Sequence, residues 1–552
     1  MKRGIAILCA LVFPCTVFAE ADFGASPYQR PAGLVTGGSF IDLIRPIPVC
    51  GKLEREGWGG DNVKPREMHN GIEDAKWSYW CISIIHGPDG KEHLFGARWP
   101  ESSSKGHMAW PRSQAYHAVS DSPTGPFVVT EELGPGHNTV VYQAKDGTYV
   151  VYVIDGSYQS KSINGPWTKV KLEFDNRGMV PVNMSNLTFT RREDGSFLMV
   201  SRTGQVWISE DGLKPYRRIS GESVYPKING RFEDPVVWRD NSQYNLIVND
   251  WFGRTAYYLR SKDGLHWTWD PGKSYDPDVV RHPDGTKEGW VKLERPQVRQ
   301  DELGRATHLY LAAIDCPKNL DKGGDNHSSK SLALPLTVNR RLAILNEAAI
   351  TADTKEIRVE IQAEDSFNPQ TDVDVQSLTF GAAERVNFGK GCKALKSEKS
   401  GRNLVMTFNG TGNGLTDDDF AAKLLGKTTT GELLIGYARL PGQPLLDPLP
   451  VARPPLLSRK GDGTLGLAVT IENFGLAKSA PAQVKVVFKE KRRAVYAATA
   501  AVPGIDPYGA ATVELPGKGE SLKAGDTCDI EVIINPDSRR PEILPVKGVK
   551  IP

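Results

Sequence analysis

The chain has 552 residues, 39% hydrophobic and 24% charged, with 68 Lys and Arg against 66 Asp and Glu for a formal net charge of +2. These are globular values, and the length calls for roughly two to four domains rather than a single core. A near-neutral chain with no basic cluster excludes nucleic acid and acidic membrane surfaces as partners.

The N-terminus reads as a secretory signal peptide over 1–19. Lys2 and Arg3 form a basic start, Gly4 to Phe18 an apolar run, and Val17-Phe18-Ala19 a small-residue cleavage site before Glu20. Pro14 ahead of Cys15 does not fit a lipoprotein signal. The mature chain is therefore expected to be secreted or periplasmic. Loss of Lys2 and Arg3 takes the net charge from +2 to 0. No later run is long enough to span a membrane. Cys50, Cys81, Cys316, Cys392 and Cys528 remain, far apart and without a CxxC pair, which argues against a zinc site. Their odd number rules out complete intramolecular pairing, and Cys50 with Cys81 is a candidate disulfide.

A β-type repeat organises residues 20–340. Ser120-Asp121-Ser122-Pro123-Thr124-Gly125-Pro126-Phe127 resembles Ser160-Lys161-Ser162-Ile163-Asn164-Gly165-Pro166-Trp167, and Ser209-Glu210-Asp211-Gly212-Leu213 resembles Ser261-Lys262-Asp263-Gly264-Leu265. Ahead of each turn runs a hairpin such as NTVVYQAKDGTYVVYVIDG or NLTFTRREDGSFLMVSRTG, with a Gly turn between alternating apolar strands. The most divergent copy is WSYWCISIIHGPDGKEHLFGARW. A period of this length with β content predicts a propeller of five blades, at about 70–132, 133–176, 180–222, 230–285 and 290–338. Ser39 to Val49 is expected to supply the outer strand of blade five and close the ring.

Beyond the repeat, EIRVEIQAEDSF, VQSLTFGAAERVNFG and NLVMTFNG predict a β-sandwich over 341–440. The stretch 441–457 holds six prolines and reads as a stiff linker. LGLAVTIENFG, AQVKVVFKE and TCDIEVIINP predict a second, immunoglobulin-like sandwich over 458–552. The fold class is thus all-β, a five-bladed β-propeller followed by two sandwiches.

Inner strands of a propeller run side by side along its axis, so their starts meet at one mouth. The residues at those starts are Glu73-Asp74, His137-Asn138, Ser185-Asn186, Glu233-Asp234 and Glu294-Arg295. The second strands return to the same mouth and end at Arg98, Asp155, Arg202, Asp250 and Asp315. Core packing does not call for so many charges, because each costs desolvation unless solvated or paired. Glycoside hydrolysis needs an acid and a base flanking the bond, with one carboxyl kept protonated by its surroundings. Asp234 and Glu233 point to opposite sides of an extended strand, and the extended backbone expected before Pro235 places Asp234 toward the lining. Asp74, Asp234, Glu233, Asp250, Glu294 and His137 are the candidate catalytic groups. Asn138, Asn186, Arg98, Arg202, Arg295, Trp99, Trp251, Asp155, Asp315 and His327 are candidate substrate contacts. Each acid has a bland reading beside this one, a tie between neighbouring blades through backbone N–H groups. Each histidine, taken singly, fits a packing or surface role better than a functional one.

The five inner-strand starts, Glu233-Asp234-Pro235, and the S-x-D-G-x-x-W stretch at 261–267 resemble the five-bladed propeller glycoside hydrolases. That superfamily includes the family 43 arabinosidases and xylosidases, the invertase-like family 32 and the anhydrogalactosidases of family 117. The resemblance covers about 70–338. It implies Asp74 as base in blade one, while Asn138 and Asn186 stand where the family 43 pattern has acids. A histidine donor, as in family 117, is compatible with it, and so is a calcium ion on the axis; no other cofactor is expected. The leading expectation is an exported glycoside hydrolase acting on plant or algal polysaccharide or oligosaccharide by single-step inversion. The alternatives are a polysaccharide lyase acting on a uronate, with Arg98, Arg202, Arg295 and His137, or a non-catalytic glycan-binding protein. The residues leave sugar, linkage and oligomeric state open.

Overall fold

The computed structural model of the chain describes residues 30–252, 254–461, 464–516 and 522–552. The expected signal peptide lies outside them. The molecule is all-β. Among the described residues no helix is long and apolar enough to cross a membrane.

Five antiparallel sheets follow one another along the first part of the chain. The first runs through Trp77–His86, Glu92–Pro100, Gln114–Ser120 and Val128–Pro135. The second runs from Val140–Gln143 to Thr168–Val170, the third from Thr188–Arg191 to Tyr216–Arg218, and the fourth from Phe232–Arg239 to Trp267–Trp269. The fifth has three strands, Lys292–Gln300, Ala306–Ile314 and Ser329–Pro335. Hairpin order is kept in each sheet because two-residue and Gly-containing turns bring sequential strands together. The first strand of each sheet packs against the first strand of the next, and Lys292–Gln300 packs back on Trp77–His86. The circle of inner strands is therefore closed.

Three local expectations change. Phe174–Asp175, placed in the second unit by the sequence, pairs in parallel with Tyr216–Arg218 on the outer edge of the third. Ser39 to Val49 supplies no full outer strand to the fifth sheet. Phe40–Leu43 is a 3-10 turn, and the free edge is met by single bridges, Ile44 with Leu336 and Ile72 with Ser331. Both touch the last strand of the sheet, so the beginning and end of the ring are still tied together. Cys50 and Cys81 do not pair: Cys50 is exposed and free, whereas Cys81 is buried and free inside the first inner strand.

The region 341–440 is a closed barrel rather than an open sandwich. Seven strands take part, and parallel pairing of Arg340–Ile344 with Leu433–Arg439 shuts it. Closure removes the free edges that a sandwich of this size would leave. Its outer wall, with Val386, Ile435 and Tyr437, joins the apolar cluster of Trp238, Tyr258 and Leu336 from the ring. The C-terminal module is a two-sheet sandwich around Val469, Val486, Phe488 and Val532. The proline-rich stretch is not a free spacer, because Pro450–Ala452 pairs with Leu465–Asn473 as a strand of that sandwich. Leu449 and Val451 lie in the apolar cluster shared with the third and fourth sheets.

A buried ion pair fastens this joint. Arg177 Nε donates to Glu472 Oε2 at 2.5 Å, and its other nitrogens reach the carbonyls of Arg218 and Val451 at 3.0 and 3.3 Å. Removing one partner of a buried pair leaves the other charge uncompensated. Arg177→Met is therefore expected to lose about 3 kcal/mol of stability in urea unfolding. A loss below about 1 kcal/mol, the range of a surface pair, contradicts this role.

Candidate active site

Five residues, each in or two residues ahead of an inner strand, share one unusual backbone conformation. Cys81, Asn138, Asn186, Asp234 and Arg295 have φ of +54, +59, +51, +54 and +55°. Left-handed backbone costs a non-glycine residue about 1–2 kcal/mol, least for Asn and Asp. In the first, fourth and fifth sheets the register slips at these residues, between Trp80 and Ser83, Glu233 and Val236, and Glu294 and Gln297. Such a bulge re-aims a side chain. Here all five side chains turn to the same place. Cys81 Sγ donates to Asn138 Oδ1 at 3.1 Å, Asn138 Nδ2 donates to Asn186 Oδ1, Asn186 Nδ2 donates to Asp234 Oδ1 at 2.5 Å, and Arg295 donates to the same oxygen at 2.6 Å. None is more than 7% exposed. They form a polar plug across the ring. Burial alone would weaken the charge on Arg295, but Asp234 outweighs it and holds the guanidinium above its ordinary value. Burial pushes the Cys81 thiol up to about 12, so it is no nucleophile.

The residues immediately before these five, taken together as a second tier, are Trp80, His137, Ser185, Glu233 and Glu294, and Lys318 reaches all of them but Ser185 through a ring contact, an ion pair or its charge. Glu233 is the one that meets the requirements of an acid. Its side chain is 16% exposed, and the Arg202 guanidinium approaches it at 2.5 Å. Burial, with the like charges of Asp234 and Glu294, raises its carboxyl to about 7 against the opposing pull of Arg202 and Lys318. Glu294 is the reverse case. Burial would raise it, but Lys292 at 3.0 Å and Lys318 at 2.5 Å overrule burial and keep it ionised far below the usual carboxylate range. His137 Nδ1 is hydrogen-bonded to Ser113 Oγ at 2.9 Å, and Nε2 lies 3.5 Å from Cys81 Sγ. Burial first, then Arg295 and Lys318, keeps this histidine neutral. Lys318 stands 4.8 Å above the Trp80 ring and so bridges the fifth and first sheets.

The other expected site residues are distributed as follows. Asp74 does not belong to either tier. Its carboxylate accepts from the N–H groups of Lys76 and Trp77 and from Tyr79 Oη at 2.6 Å, which makes it the organiser of the turn into the first strand. Its place is taken by Trp80 and Cys81. Asp234, expected in extended backbone before Pro235, is left-handed instead, and Arg295 before Pro296 is the same. The bulge overrides the local preference of a residue before proline. The side of the strand is thereby exchanged: Asp234 goes to the plug and Glu233 to the mouth. Asp250 accepts from Arg231 N and is 5% exposed. Asp315 accepts from Gly60 N and Ser328 N and pairs with His327 at 3.2 Å, anchoring a loop. Arg98 lies over Trp77 at 4.0 Å and reaches Glu132, away from the tiers. Trp99 is 1% exposed and cannot stack on a sugar. Trp251 is half-buried against Phe252, with Arg231 and Lys292 beside it. Asp155 is exposed in the turn next to His137.

Lys292, Lys318 and Cys81 were not among the expected site residues. The signal for Cys81 was present. The turn glycines Gly90, Gly147, Gly195 and Gly304 each stand nine residues after Cys81, Asn138, Asn186 and Arg295, and Gln243 stands nine after Asp234. Lys318 carries no such signal, because it comes from the long loop between the last two strands of the fifth sheet. The same loop brings Asp321 and Asp325 to Glu101, with one oxygen from each within 4.8 Å of the others, a spacing that can hold an oxygen-ligated cation. Burial, then neighbouring acids, raises Glu101 to about 7 and Asp321 to about 6, so protons relieve their repulsion.

No family model matches the chain, and no curated protein matches it. The solved structures it is similar to include glycoside hydrolases of families 43 and 117. One is a family 117 glycoside hydrolase of the marine bacterium Zobellia galactanivorans, at 12% identity over 49% of this chain and 88% of the other, TM-score 0.34. Another is an alpha-L-arabinofuranosidase from Lactobacillus brevis, at 9% identity over 48% and 93%, TM-score 0.34. A third is a family 43 arabinoxylan arabinofuranohydrolase from Bacillus subtilis, in complex with cellotetraose, at 9% identity over 89% and 97%, TM-score 0.32.

A buried guanidinium deprived of its only carboxylate in the plug is expensive. Asp234→Asn keeps the shape and removes the charge. It is expected to lower stability by about 3–5 kcal/mol in denaturant unfolding. Wild-type stability with abolished turnover would instead make Asp234 a chemical participant rather than a structural one.

Proposed function

We propose that the closed ring is a five-bladed β-propeller and that its mouth hydrolyses a glycosidic bond. Two neighbouring carboxyls whose surroundings push their proton affinities apart support this reading most. Such a split assigns acid and base roles. Glu233, raised to about 7, gives its proton to the departing glycosidic oxygen. Glu294, held ionised by two lysines, faces the other end of the reaction and takes the proton of the attacking water. The proposed course is a single displacement with inversion, for which the two carboxyls must stand roughly 6.5–9.5 Å apart around the water. Arg202 orients the Glu233 carboxyl through its 2.5 Å contact. The axis needs no metal ion in this scheme, because the Arg295 guanidinium already supplies the positive charge facing Asp234. Calcium favours a cage of oxygens and does not fit beside that guanidinium. The substrate is an oligosaccharide or polysaccharide, and the chain acts outside the cytoplasm after loss of residues 1–19.

One observation favours a second reading. The neutral His137 beside the positive field of Arg295 and Lys318 is the arrangement by which a lyase takes a proton next to a uronate carboxylate. Its products would be unsaturated and absorb ultraviolet light, whereas hydrolysis gives saturated products with a new reducing end.

Glu233→Gln is expected to lower kcat about 10²–10⁴-fold with little change in unfolding midpoint. Wild-type kcat would remove Glu233 from the chemistry. The general acid must carry its proton, so wild-type kcat should fall as pH rises through about 7, the value to which the Glu233 carboxyl is raised. A rate that stays level from pH 6 to 9 contradicts the assignment.

A further inference from the structure

The ring is least secured where its first and last sheets meet. The fifth sheet has three strands where the others have four or more, and single bridges from Ile44 and Ile72 meet its free edge. The long loop over 315–328, between Ala306–Ile314 and Ser329–Pro335, reaches across this seam. Gly324 N donates to Glu101 O at 3.2 Å, one residue beyond the strand Glu92–Pro100 of the first sheet. The approach is close: a Cβ on Gly323 would stand 2.4 Å from Ser103 O, and one on Gly106 2.0 Å from Asp321 O. Three carboxyls converge at this contact. One oxygen each from Glu101, Asp321 and Asp325 lies within 4.8 Å of the other two. Glu101 and Asp321 are each 4% exposed, and Asp325 is half-buried. Among the described residues no lysine or arginine forms an ion pair with any of the three. Lys318, on the same loop, reaches Glu294, and Lys322 turns its ammonium to the Asn319 carbonyl. The Asp325 carboxylate accepts from Lys322 N and His327 N at 2.7 and 2.8 Å and keeps its charge. Glu101 Oε2 accepts from Ser78 Oγ at 2.5 Å, whereas Oε1 is buried with no donor. A buried carboxylate oxygen without a partner is costly, and here two further acids stand beside it.

We propose that Glu101, Asp321 and Asp325 bind a divalent cation, calcium, which clips the loop over 315–328 to the first sheet. Calcium–oxygen bonds let ligands stand up to about 5 Å apart, so the three oxygens can share one ion. The set is all oxygen, which suits calcium and not zinc. The solvent side of Asp325 admits the waters that complete calcium's larger shell. The ion gives Glu101 Oε1 its missing partner and brings the positive charge that no lysine or arginine supplies here. This place is separate from the plug, where Arg295 already faces Asp234. An ion that closes a long loop removes freedom the loop would otherwise keep. It also holds Lys318, three residues ahead of Asp321, beside Glu294.

The test uses the full chain, freed of metal with a chelator. Calorimetric titration with calcium chloride should give one ion per chain with a Kd of about 1 mM or tighter. Calcium at about 10 mM should then raise the unfolding midpoint by about 3 °C or more. Glu101→Gln and, separately, Asp321→Asn should each weaken binding by about tenfold or more and lose that rise. Without metal, each variant should match or exceed the wild-type midpoint, because one acid fewer repels its neighbours. Zinc chloride is the control, since Asp315, Cys316 and His327 form a second cluster on the same loop. A crystal grown with calcium should show the ion between the three carboxyls, and it decides the matter even where a variant fails to fold. No binding up to about 10 mM calcium, binding unmoved by both variants, an ion seated elsewhere, or zinc bound where calcium is not, overturns the inference. All these readouts are binding, stability and position, so the hydrolytic reading can fail while the calcium site stands, and the reverse.

Discussion

A chain of hydrogen bonds between side chains far apart in sequence holds the centre of this molecule. It runs from Cys81 through Asn138 and Asn186 to Asp234 and Arg295. Each member sits in left-handed backbone, which costs about 1–2 kcal/mol for a residue with a Cβ. The cost is met because an extended residue at the same point would direct its side chain elsewhere, leaving a neighbour's amide, carboxylate or guanidinium buried without a partner. Five strands are thereby fixed at one height about a common axis. The same twist that sends one side chain to the plug turns the preceding residue towards the mouth.

The proposed chemistry follows from that pairing of positions. In the fourth sheet the pair is Glu233 and Asp234, and in the fifth Glu294 and Arg295. Asp234 cannot leave its guanidinium, so its negative charge becomes part of the fixed field that raises Glu233. Glu294 feels the opposite environment because the loop between the last two strands of the fifth sheet delivers Lys318 beside Lys292. One acid is raised towards protonation and its neighbour held ionised by groups that do not themselves react in the proposed course. In the proposed course the plug takes no chemical step, and the charge of Asp234 helps to raise Glu233.

Much of this architecture was legible in the sequence. Recurrent apolar hairpins with Gly turns predicted successive sheets, and alignment of the inner-strand starts put Asn138 and Asn186 at equivalent positions, where their side chains meet. The first sheet misled because Glu73-Asp74 imitates Glu233-Asp234, although Gly90 points to Cys81 by the same nine-residue interval. The exchange between Glu233 and Asp234 was hidden for a different reason. Pro235 argues locally for extended backbone, and only the tertiary hydrogen bonds from Asn186 and Arg295 enforce the bulge. Lys318 was out of reach because a long loop has no period to count. The barrel over 341–440 was mistaken for a sandwich because alternation within strands does not reveal which two edges will join.

The most direct measurement is a crystal structure of the Glu233→Gln variant soaked with an oligosaccharide that the wild type cleaves. The account predicts a glycosidic oxygen within hydrogen-bond reach of residue 233, a water or anomeric carbon on the side of Glu294, and no sugar contact to Asp234. A saccharide bound away from Trp80, His137, Ser185, Glu233 and Glu294, or one gripped directly by Asp234, would contradict it.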